Sequence, residues 1–484
     1  MRGVETKPDK LVLGACSIKV CRRILHLPQA SSRLSPFFAP LNRWNKASRR
    51  NAALLAVGLT AAYAITCSRF FGLIFWMSDI GWYLRMARGD IHSIRQPFAS
   101  RQLGPAVVRL FVWLLHWSVP QAFLLEGLLA LLVTLAVVYA LVMRSAAPRW
   151  MLLAVAVVPF WPQLYVGLVL PDLWYAGLLA IFLLLLARRN LLAAACMMFP
   201  LMLSRESTSL TLVCLLIACW RPLRWPGRLL AFGAGLAGTL LIGRLTLHNP
   251  GNMDSVPESI YLLAKAPWNL LRNVLGIVPW SNVNGSLCRV PEWRYTLPFH
   301  VGLLHTVGMC GFSFDQPQET LAAALTTFGL LPLLAVFLWT RGRRAGVHHP
   351  ASNVAEHNNP LIRFCLLYGG VSFVLAPMLG AWAPRLFGYS WPLSLIAIPL
   401  LFHGLSEAYG EALTSKRAAA GLVFLGLHLV VCGLGFKYLS WSLIGLTLML
   451  YLVGFAMLRW WFGRPVRQAG KRLHGNPQQA ASEA

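Results

Sequence analysis

Acidic and basic side chains that could do chemistry are concentrated in one short stretch of the chain, residues 77–105. This stretch contains two acids and four arginines: Asp79, Asp90, Arg85, Arg88, Arg95 and Arg101. It follows a long apolar segment, and charge beside a bilayer is costly unless it serves a task. A carboxylate could accept a proton from a hydroxyl group here, and arginines could hold a phosphate. The stretch is therefore the first candidate site.

Asp79 is the leading candidate for a reacting carboxylate. If the residues around it form a helix, Asp79 and Tyr83 lie one turn apart and Trp82 shares their face. An aromatic ring suits the face of a sugar, and a carboxylate can act as a base towards a hydroxyl group or hold a metal ion. The structural alternative is a helix cap, because negative charge stabilises the first turn of a helix.

Two further positions suit a bound phosphate. Arg101 lies between Pro97 and Pro105, and a rigidly held guanidinium suits phosphate; the alternative is an arginine that reaches lipid headgroups. Arg205 and Glu206 interrupt an apolar hairpin, where charged residues are functional by default. Their structural alternative is mutual neutralisation, which would let the hairpin turn.

Charged residues also stand at the ends of two other apolar segments. Arg385 precedes a late segment and could hold a phosphate from the far side of a cavity. Ordinary anchoring at the membrane interface, with Trp391 in the aromatic belt, is the competing interpretation. Asp172 follows Pro171 at the start of a segment, where a helix cap is favoured over a position in the same cavity.

The composition decides the broad class of protein. Apolar residues make up 57% of the 484 residues and charged residues only 12%, and the mean hydropathy is +0.60. These values indicate a polytopic membrane protein. The formal net charge of +27 does not indicate nucleic-acid binding, because the basic residues form short clusters between apolar segments and in both tails.

Apolar segments long enough for a bilayer predict an all-α bundle of roughly 10–12 transmembrane spans. The predicted spans are Asn51–Trp76, Gln121–Met143, Trp150–Leu170, Leu173–Ala187, Leu229–Leu247, Thr320–Thr340, Leu361–Trp382, Leu386–Phe402, Arg417–Phe436 and Trp441–Leu458. Two shorter apolar runs between Leu191 and Trp220 predict a re-entrant hairpin or two short helices.

Clusters of arginine between the spans predict the orientation, because cytoplasmic loops are enriched in Lys and Arg. They place a basic N-terminal tail, residues 1–50, and a basic C-terminal tail, residues 459–484, in the cytoplasm, on either side of a membrane domain, residues 51–458. The first outer loop, residues 77–120, and the large loop, residues 248–319, then face outside. This assignment requires that Leu103–Trp117 lies along the outer surface as an amphipathic helix and does not cross. Cys288 and Cys310 fall in the large outer loop, where a disulfide and two unpaired thiols are equally compatible with the sequence.

In its architecture and in its first-loop pattern, the chain resembles the GT-C class of integral membrane glycosyltransferases, especially bacterial members that are distantly similar to oligosaccharyl- and mannosyl-transferases. The resemblance rests on residues of the first outer loop: Asp79, Tyr83-Leu84, Ala87, Pro97-Phe98, Arg101, Leu103 and Pro105. Further matches are Arg205-Glu206 in the broken hairpin and Arg385 with Pro392 at a late helix pair. It covers most of the membrane region, but only the first-loop pattern is fairly specific.

The resemblance implies a donor sugar on a polyprenyl phosphate and a glycan, lipid or protein acceptor that enters from the outer side of a bacterial inner membrane. By position, Asp79 would be the catalytic acid, and the residues that bind substrate or phosphate would be Tyr83, Arg101, Arg205, Glu206 and Arg385, with Asp90 and Asp172 as further candidates. A divalent metal is left open as a cofactor, with Asp79 its ligand if there is one, since Asp79 is followed by Ile80-Gly81 and not by a second acid.

Two other classes of function compete with an enzyme. A transporter or flippase of lipid-linked sugars could use the same arginines to hold a phosphate without reaction. Such proteins usually have broken helices at matched positions in two halves, and the sequence indicates one broken hairpin without a counterpart. The third class is a non-catalytic subunit of an envelope polysaccharide assembly system. An endoplasmic-reticulum membrane, with the lumen replacing the periplasm, fits the same topology.

Overall fold

The computed structural model describes residues 46–71, 78–144, 149–250, 258–281, 295–297, 307–344, 359–380, 383–402, 415–435 and 440–461. The basic N-terminal tail up to residue 45 and most of the C-terminal tail therefore lie outside the described residues. So does Cys288, and with it the choice between a Cys288–Cys310 disulfide and two unpaired thiols.

The described residues form an all-α bundle, because a chain in hydrocarbon must satisfy its backbone hydrogen bonds within each segment. In the N-terminal half the helices are α1 Lys46–Thr66, α2 Ser78–Ala87, α3 Leu103–Leu115, α4 Val119–Arg144, α5 Arg149–Ala156, α6 Phe160–Val166, α7 Pro171–Ala187, α8 Leu191–Cys196, α9 Met198–Ser204, α10 Thr208–Ala218 and α11 Trp225–Leu245. The predicted short hairpin thus consists of α8, α9 and α10.

The C-terminal half adds further helices and a small sheet. The helices are α12 Glu258–Leu275, α13 Asp315–Thr326, α14 Leu331–Arg344, α15 Pro360–Leu379, α16 Ala383–Gly388, α17 Leu393–Phe402, α18 Ser415–Leu434 and α19 Trp441–Trp461. The strands β1 Ile277–Ser281, β2 Tyr295–Leu297 and β3 Val307–Phe312 form an antiparallel sheet in the order β1-β3-β2.

Six described helices are long and apolar enough to cross a membrane, or up to seven if a bent pair counts as one span. The bent pair is α13 with α14, whose axes differ by 72°. The prediction of roughly 10–12 spans included α7, α17 and α18, whose apolar parts are shorter than a full span. The predicted single span Leu386–Phe402 is interrupted, because α16 ends at Gly388 and α17 begins as a π-helix.

The centre of the bundle is the packing of α7 against α4, and α1 also packs against α4. Gly177 of α7 allows this close approach, since a Cβ atom there would lie 3.3 Å from backbone atoms of Ala130. Most side chains of α7 are buried, including Leu179, Phe182 and Leu183. A helix buried on nearly all sides is a rigid support, and its N-terminal end carries Asp172.

Helix α3 agrees with the helix predicted after the first loop. It packs against α2 and α4 through its buried residues Gly104, Pro105 and Val108. The predicted apolar stripe is turned outward, with Leu110 at 49% and Leu114 at 54% exposed. The helix ends at His116, which adopts the left-handed conformation. An exposed apolar face of this kind suits the headgroup region of a bilayer.

A neutral polar group of residues, here called the histidine cluster, lies where α13, α14, α18 and α5 meet. His428 of α18 accepts a hydrogen bond at Nδ1 from the Leu330 amide and its Nε2 lies 3.0 Å from the Ala154 carbonyl oxygen. The Tyr451 hydroxyl donates towards the Gly329 carbonyl at 2.5 Å. Gly329 has φ +53°, and a Cβ atom there would lie 2.5 Å from the His428 ring. The cluster thus satisfies the backbone groups that the bend between α13 and α14 exposes.

Candidate functional site

A group of charged residues, here called the charged cluster, forms where several short helices begin or end. Tyr83 comes from α2, Asp172 from the first turn of α7, and Arg385 from α16, while Arg101 precedes α3 and Arg205 and Glu206 join α9 to α10. Five of these positions were predicted as site residues, and Asp172 was a further candidate. Residues far apart in the sequence therefore meet in one place.

Arg205 and Glu206 do not pair with each other, contrary to the mutual neutralisation that the sequence allowed. Arg205 bonds to Asp172 through Nη1, and Glu206 bonds to Arg101. The reason is the backbone of Arg205, which is extended with φ −163° and ψ 141°. Successive side chains of an extended chain point to opposite sides. The two neighbours therefore connect the broken hairpin to two different parts of the protein.

Asp172 is the centre of the buried part of the cluster. Its side chain is 8% exposed and pairs with Arg205, while Nε of Arg385 lies 2.6 Å from its Oδ2 atom. The predicted cap role is wrong, because the N-cap residue of α7 is Leu170 and no side chain caps this helix. A buried carboxylate of this kind requires its cationic partners, since an unpaired charge away from water is very costly.

Arg101 is held on all sides of its guanidinium group. Its Nε and Nη2 atoms donate to the two carboxylate oxygens of Glu206 at 3.0 and 2.5 Å. Its Nη1 atom donates to the Tyr83 hydroxyl at 2.8 Å, and the group lies 5.8 Å from the centre of the Phe98 ring. A bidentate pair with these further contacts fixes the position of the first loop beside the hairpin. Arg101 has fewer free donors for a phosphate than the sequence suggested.

The remaining arginines are less completely bonded. Arg205 stacks on Tyr389, with its guanidinium carbon 4.4 Å from the ring centre, and its buried Nε atom has no hydrogen-bond partner among the described residues. The contact between Arg385 and Asp172 is close, yet neither Nε of Arg385 nor Oδ2 of Asp172 makes a hydrogen bond of acceptable geometry with a described residue. The three arginines face two acids, so the cluster retains positive charge.

A cavity lies beside the buried part of the cluster. Its polar lining consists of Gln163, Asp172, Tyr175, Arg385 and Tyr389. The rest of the lining is apolar and comes from α6, α7, α16 and the connections between them, with the residues Phe160, Leu164, Gly167, Leu170, Ala176, Gly388 and Trp391. The cavity therefore has a charged end and an apolar wall, which is the chemistry of an amphiphilic anion.

Asp79 lies at the start of α2, one turn before Tyr83, as predicted. It is partly exposed, and no hydrogen bond or ion pair joins its carboxylate to another described residue. Tyr83 is 1% exposed and holds Arg101, so α2 connects Asp79 to the charged cluster through its own backbone. Asp79 is thus a carboxylate without a partner among the described residues, on the helix that contacts the cluster.

Asp90 lies outside the charged cluster. It forms an exposed ion pair with Arg85 at 2.9 Å. A hydrogen bond with Ser93, together with the Arg85 guanidinium, lowers the pKa of Asp90 below its usual value. The loop that contains this pair is attached to the end of α11, because the Asn249 side chain donates to the Ile91 and Ile94 carbonyls at 2.6 and 3.0 Å.

The sequence interpretation missed several residues of the site. Gln163 and Tyr389 line the cavity, but a lone Gln or Tyr in an apolar segment carries no sequence signal. A further buried acid, Glu126 of α4, belongs neither to the charged cluster nor to the lining of the cavity. It is 3% exposed, and its Oε1 atom, which has no hydrogen-bond partner among the described residues, lies 3.0 Å from where a Cβ atom of Gly104 would be. This acid was visible in the sequence as a single charge within a predicted span.

The part of the chain that the structure describes contains no group of three or more His, Cys, Asp or Glu side chains that could hold a metal ion. Whether Asp79 binds a divalent metal ion therefore stays a prediction. Searches of the chain against family models, curated proteins and solved structures return no match.

Proposed function

We propose that this integral membrane protein is a glycosyltransferase of the GT-C type. It transfers a sugar from a polyprenyl-phosphate donor to a glycan, lipid or protein acceptor on the outer side of a bacterial inner membrane. The observation that carries the proposal is the charged cluster, in which three arginines from separate elements surround two acids beside an amphiphilic cavity. The excess positive charge favours an anionic ligand, and a lipid phosphate brings one anion and an apolar chain together.

In this mechanism Asp79 acts as the base. The acceptor hydroxyl gives its proton to the Asp79 carboxylate while its oxygen forms a bond to the anomeric carbon of the donor sugar. The bond between that carbon and the phosphate oxygen breaks, and its electron pair stays on the phosphate. Attack from the face opposite the leaving group inverts the anomeric configuration. Asp79 suits this role because its carboxylate is not engaged by another described residue.

Arg385 is the cation that stabilises the departing phosphate. It lines the cavity, its side chain is 17% exposed, and its contact with Asp172 leaves hydrogen-bonding capacity. Negative charge grows on the phosphate as the bond breaks, so a fixed guanidinium binds the transition state more strongly than the ground state. Arg205 stacks on Tyr389, bonds to Asp172 and adds to the positive electrostatic potential near the phosphate. Arg101 connects the first loop to the hairpin.

The proposed orientation has both chain termini in the cytoplasm and the charged cluster on the periplasmic side. The arginine clusters between the apolar segments support it, because Lys and Arg are enriched in cytoplasmic loops. The exposed apolar face of α3 supports it as well, since such a helix can lie on the outer leaflet without crossing the membrane. A further crossing at α3 would place the N-terminal tail and the later arginine clusters on opposite sides.

The decisive experiment measures transfer of labelled sugar from polyprenyl-phosphate donors in membranes that contain the wild-type protein or Asp79→Asn at matched levels. We expect wild-type transfer, and a loss of at least about 100-fold in the variant, since a general base contributes typically that much. Asp90→Asn is the matched control, because the same chemical change is made in an exposed ion pair outside the cluster. It should retain transfer. Full transfer by Asp79→Asn would remove Asp79 from the mechanism.

One observation favours transport of lipid-linked sugars as the second candidate function. The bend of 72° between α13 and α14 is a further interruption of an apolar helix, in addition to the break between α9 and α10. Broken helices are typical of transporters. In the same membranes, movement of a labelled lipid-linked sugar between leaflets without any transfer product would favour this function, as would transport that Asp79→Asn leaves intact.

A further inference from the structure

The polar end of the cavity contains an unused hydrogen-bond acceptor and an unused hydroxyl group. Oε1 of Gln163 is buried and makes no hydrogen bond with a described residue. The Tyr389 hydroxyl, on a residue that is 8% exposed, is also buried without a described partner. Both residues line the same cavity as Arg385. Buried polar atoms in native proteins nearly always have partners, so these atoms indicate a ligand that supplies them.

The chemistry of these groups restricts the ligand. An ionised phosphate group offers acceptors and satisfies Arg385, but it has no hydrogen to give to Oε1 of Gln163. This acceptor requires a donor, and a hydroxyl group supplies one. The aromatic ring of Trp391 also lines the cavity, and the apolar part of a sugar can pack against such a ring. The polar end is therefore complementary to a group that carries hydroxyls together with an anion.

We infer that this cavity recognises the hydroxyl groups of the donor sugar, with Gln163 as the acceptor and the Tyr389 hydroxyl as a second polar contact, and that it thereby distinguishes a phosphate-linked sugar from the bare carrier phosphate. The inference rests on the proposed function, because it assigns the sugar end of the same donor. Gln163 and Tyr389 are then specificity-determining residues, whereas Arg385 binds the phosphate of either ligand.

The size of the cavity limits how much of the sugar enters. Its volume is about 30 Å³, which is room for about two water molecules. One edge of a sugar ring, with its hydroxyls in place of those waters, fits this space, and the remainder of the ring stays towards the opening. A hydroxyl that replaces a water and keeps its hydrogen bonds adds affinity for that sugar.

The test uses the full-length protein in lipid nanodiscs and measures competition against labelled farnesyl phosphate. The competitors are unlabelled farnesyl phosphate and farnesyl phosphates that carry glucose, mannose or arabinose. We expect at least one sugar-bearing competitor to bind about tenfold more tightly than the bare phosphate, as new buried hydrogen bonds imply. Gln163→Met should remove this preference and leave the affinity for farnesyl phosphate unchanged. Tyr389→Phe, which deletes a single oxygen atom, should reduce the preference in the same way.

Gln121→Met is the matched control, because Gln121 caps the start of α4 through Ser118 and does not line the cavity. It should keep the preference. Equal affinity of the wild type for all competitors would overturn this inference and leave the carrier-phosphate part of the proposed function in place. Binding of no competitor would overturn both. A preference that survives in Gln163→Met and Tyr389→Phe would overturn the assignment of these residues.

Discussion

The charged cluster and the histidine cluster solve a similar structural problem in different ways. Both lie at breaks in apolar helices, where backbone or side-chain polar groups are removed from water. In the histidine cluster, His428 uses one ring nitrogen for the Leu330 amide and the other for the Ala154 carbonyl. In the charged cluster, atoms of Asp172, Arg205 and Arg385 have no hydrogen-bond partner among the described residues.

This difference distinguishes a structural polar group from the proposed binding site. A neutral imidazole with one donor and one acceptor matches one amide and one carbonyl, so the histidine cluster is complete within the chain. The charged cluster has more arginines than acids and opens on a cavity. Partly satisfied charge in a low-dielectric region is expensive, and a protein retains it where a ligand completes it.

Asp172→Asn should give the largest loss of stability. The change removes the negative charge that Arg205 and Arg385 share and leaves a buried cation without a counter-charge. We expect a loss of about 3–5 kcal/mol, the usual cost of breaking a buried pair. Equilibrium unfolding in mixed micelles measures it.

A double-mutant cycle with Arg205→Met provides the control for this prediction. The double variant should lose less stability than the two single variants together, because the penalty of the unpaired charge disappears with the second change. Additive losses of stability would mean that Asp172 and Arg205 act independently. The charged cluster would then not be energetically coupled.

Arg385→Gln should affect activity more than stability. The arginine is 17% exposed and makes no hydrogen bond of acceptable geometry with Asp172, so the remaining pair with Arg205 should keep the fold. We expect transfer from the polyprenyl-phosphate donor to fall about 100- to 1,000-fold, as when one preorganised donor to the transition state is removed. The measurement is transfer at saturating donor, together with unfolding of the same samples. If unfolding accounts for the whole loss of transfer, Arg385 has a structural role like that of His428 and does not act on the phosphate.

His428→Gln should show the opposite behaviour. A carboxamide at this position cannot reach the Leu330 amide and the Ala154 carbonyl at once, so one buried backbone group loses its partner. The expected cost is about 1–3 kcal/mol, while transfer per folded molecule stays unchanged. Unfolding in mixed micelles and a transfer assay normalised to folded protein test both parts. Specific activity that falls with His428→Gln would show that the histidine cluster is coupled to the site.

Much of the fold could be predicted from the sequence for physical reasons. Apolar length and the absence of charge predict helices in a membrane, and most of the long described helices overlap the predicted spans. Helix α12, in contrast, lies in the segment that was predicted as the large outer loop. The breaks were less accessible. The bend after Thr326 depends on the positive φ of Gly329 and on His428, which is distant in the sequence. The interruption at Gly388 likewise depends on α16 packing against α13 and α15.

The sequence could predict which residues form the candidate site but not which of them pair with each other. The sequence identified Arg101 by its place between prolines in the first loop, Arg205 as a charge within an apolar hairpin and Arg385 as a charge before an apolar segment, and the structure brings them together. Their partners depend on tertiary packing, so the sequence paired Arg205 with Glu206, its neighbour, and treated Asp172 as a cap. Neutral residues such as Gln163 acquire their meaning only from the cavity around them.

The smallest effect is expected at the exposed pair Arg85–Asp90. Its side chains are 44% and 42% exposed, so water and salt screen the attraction. The pKa of Asp90 is lowered by Ser93 and Arg85, so any stability that the pair adds is present at neutral pH and is lost as the pH falls through that pKa. Asp90→Asn should therefore leave the unfolding midpoint at neutral pH unchanged within error. A clear loss of stability at neutral pH that disappears in high salt would show that pairing without burial stabilises this loop. The charged cluster would then differ from the histidine cluster only by the cavity that adjoins it.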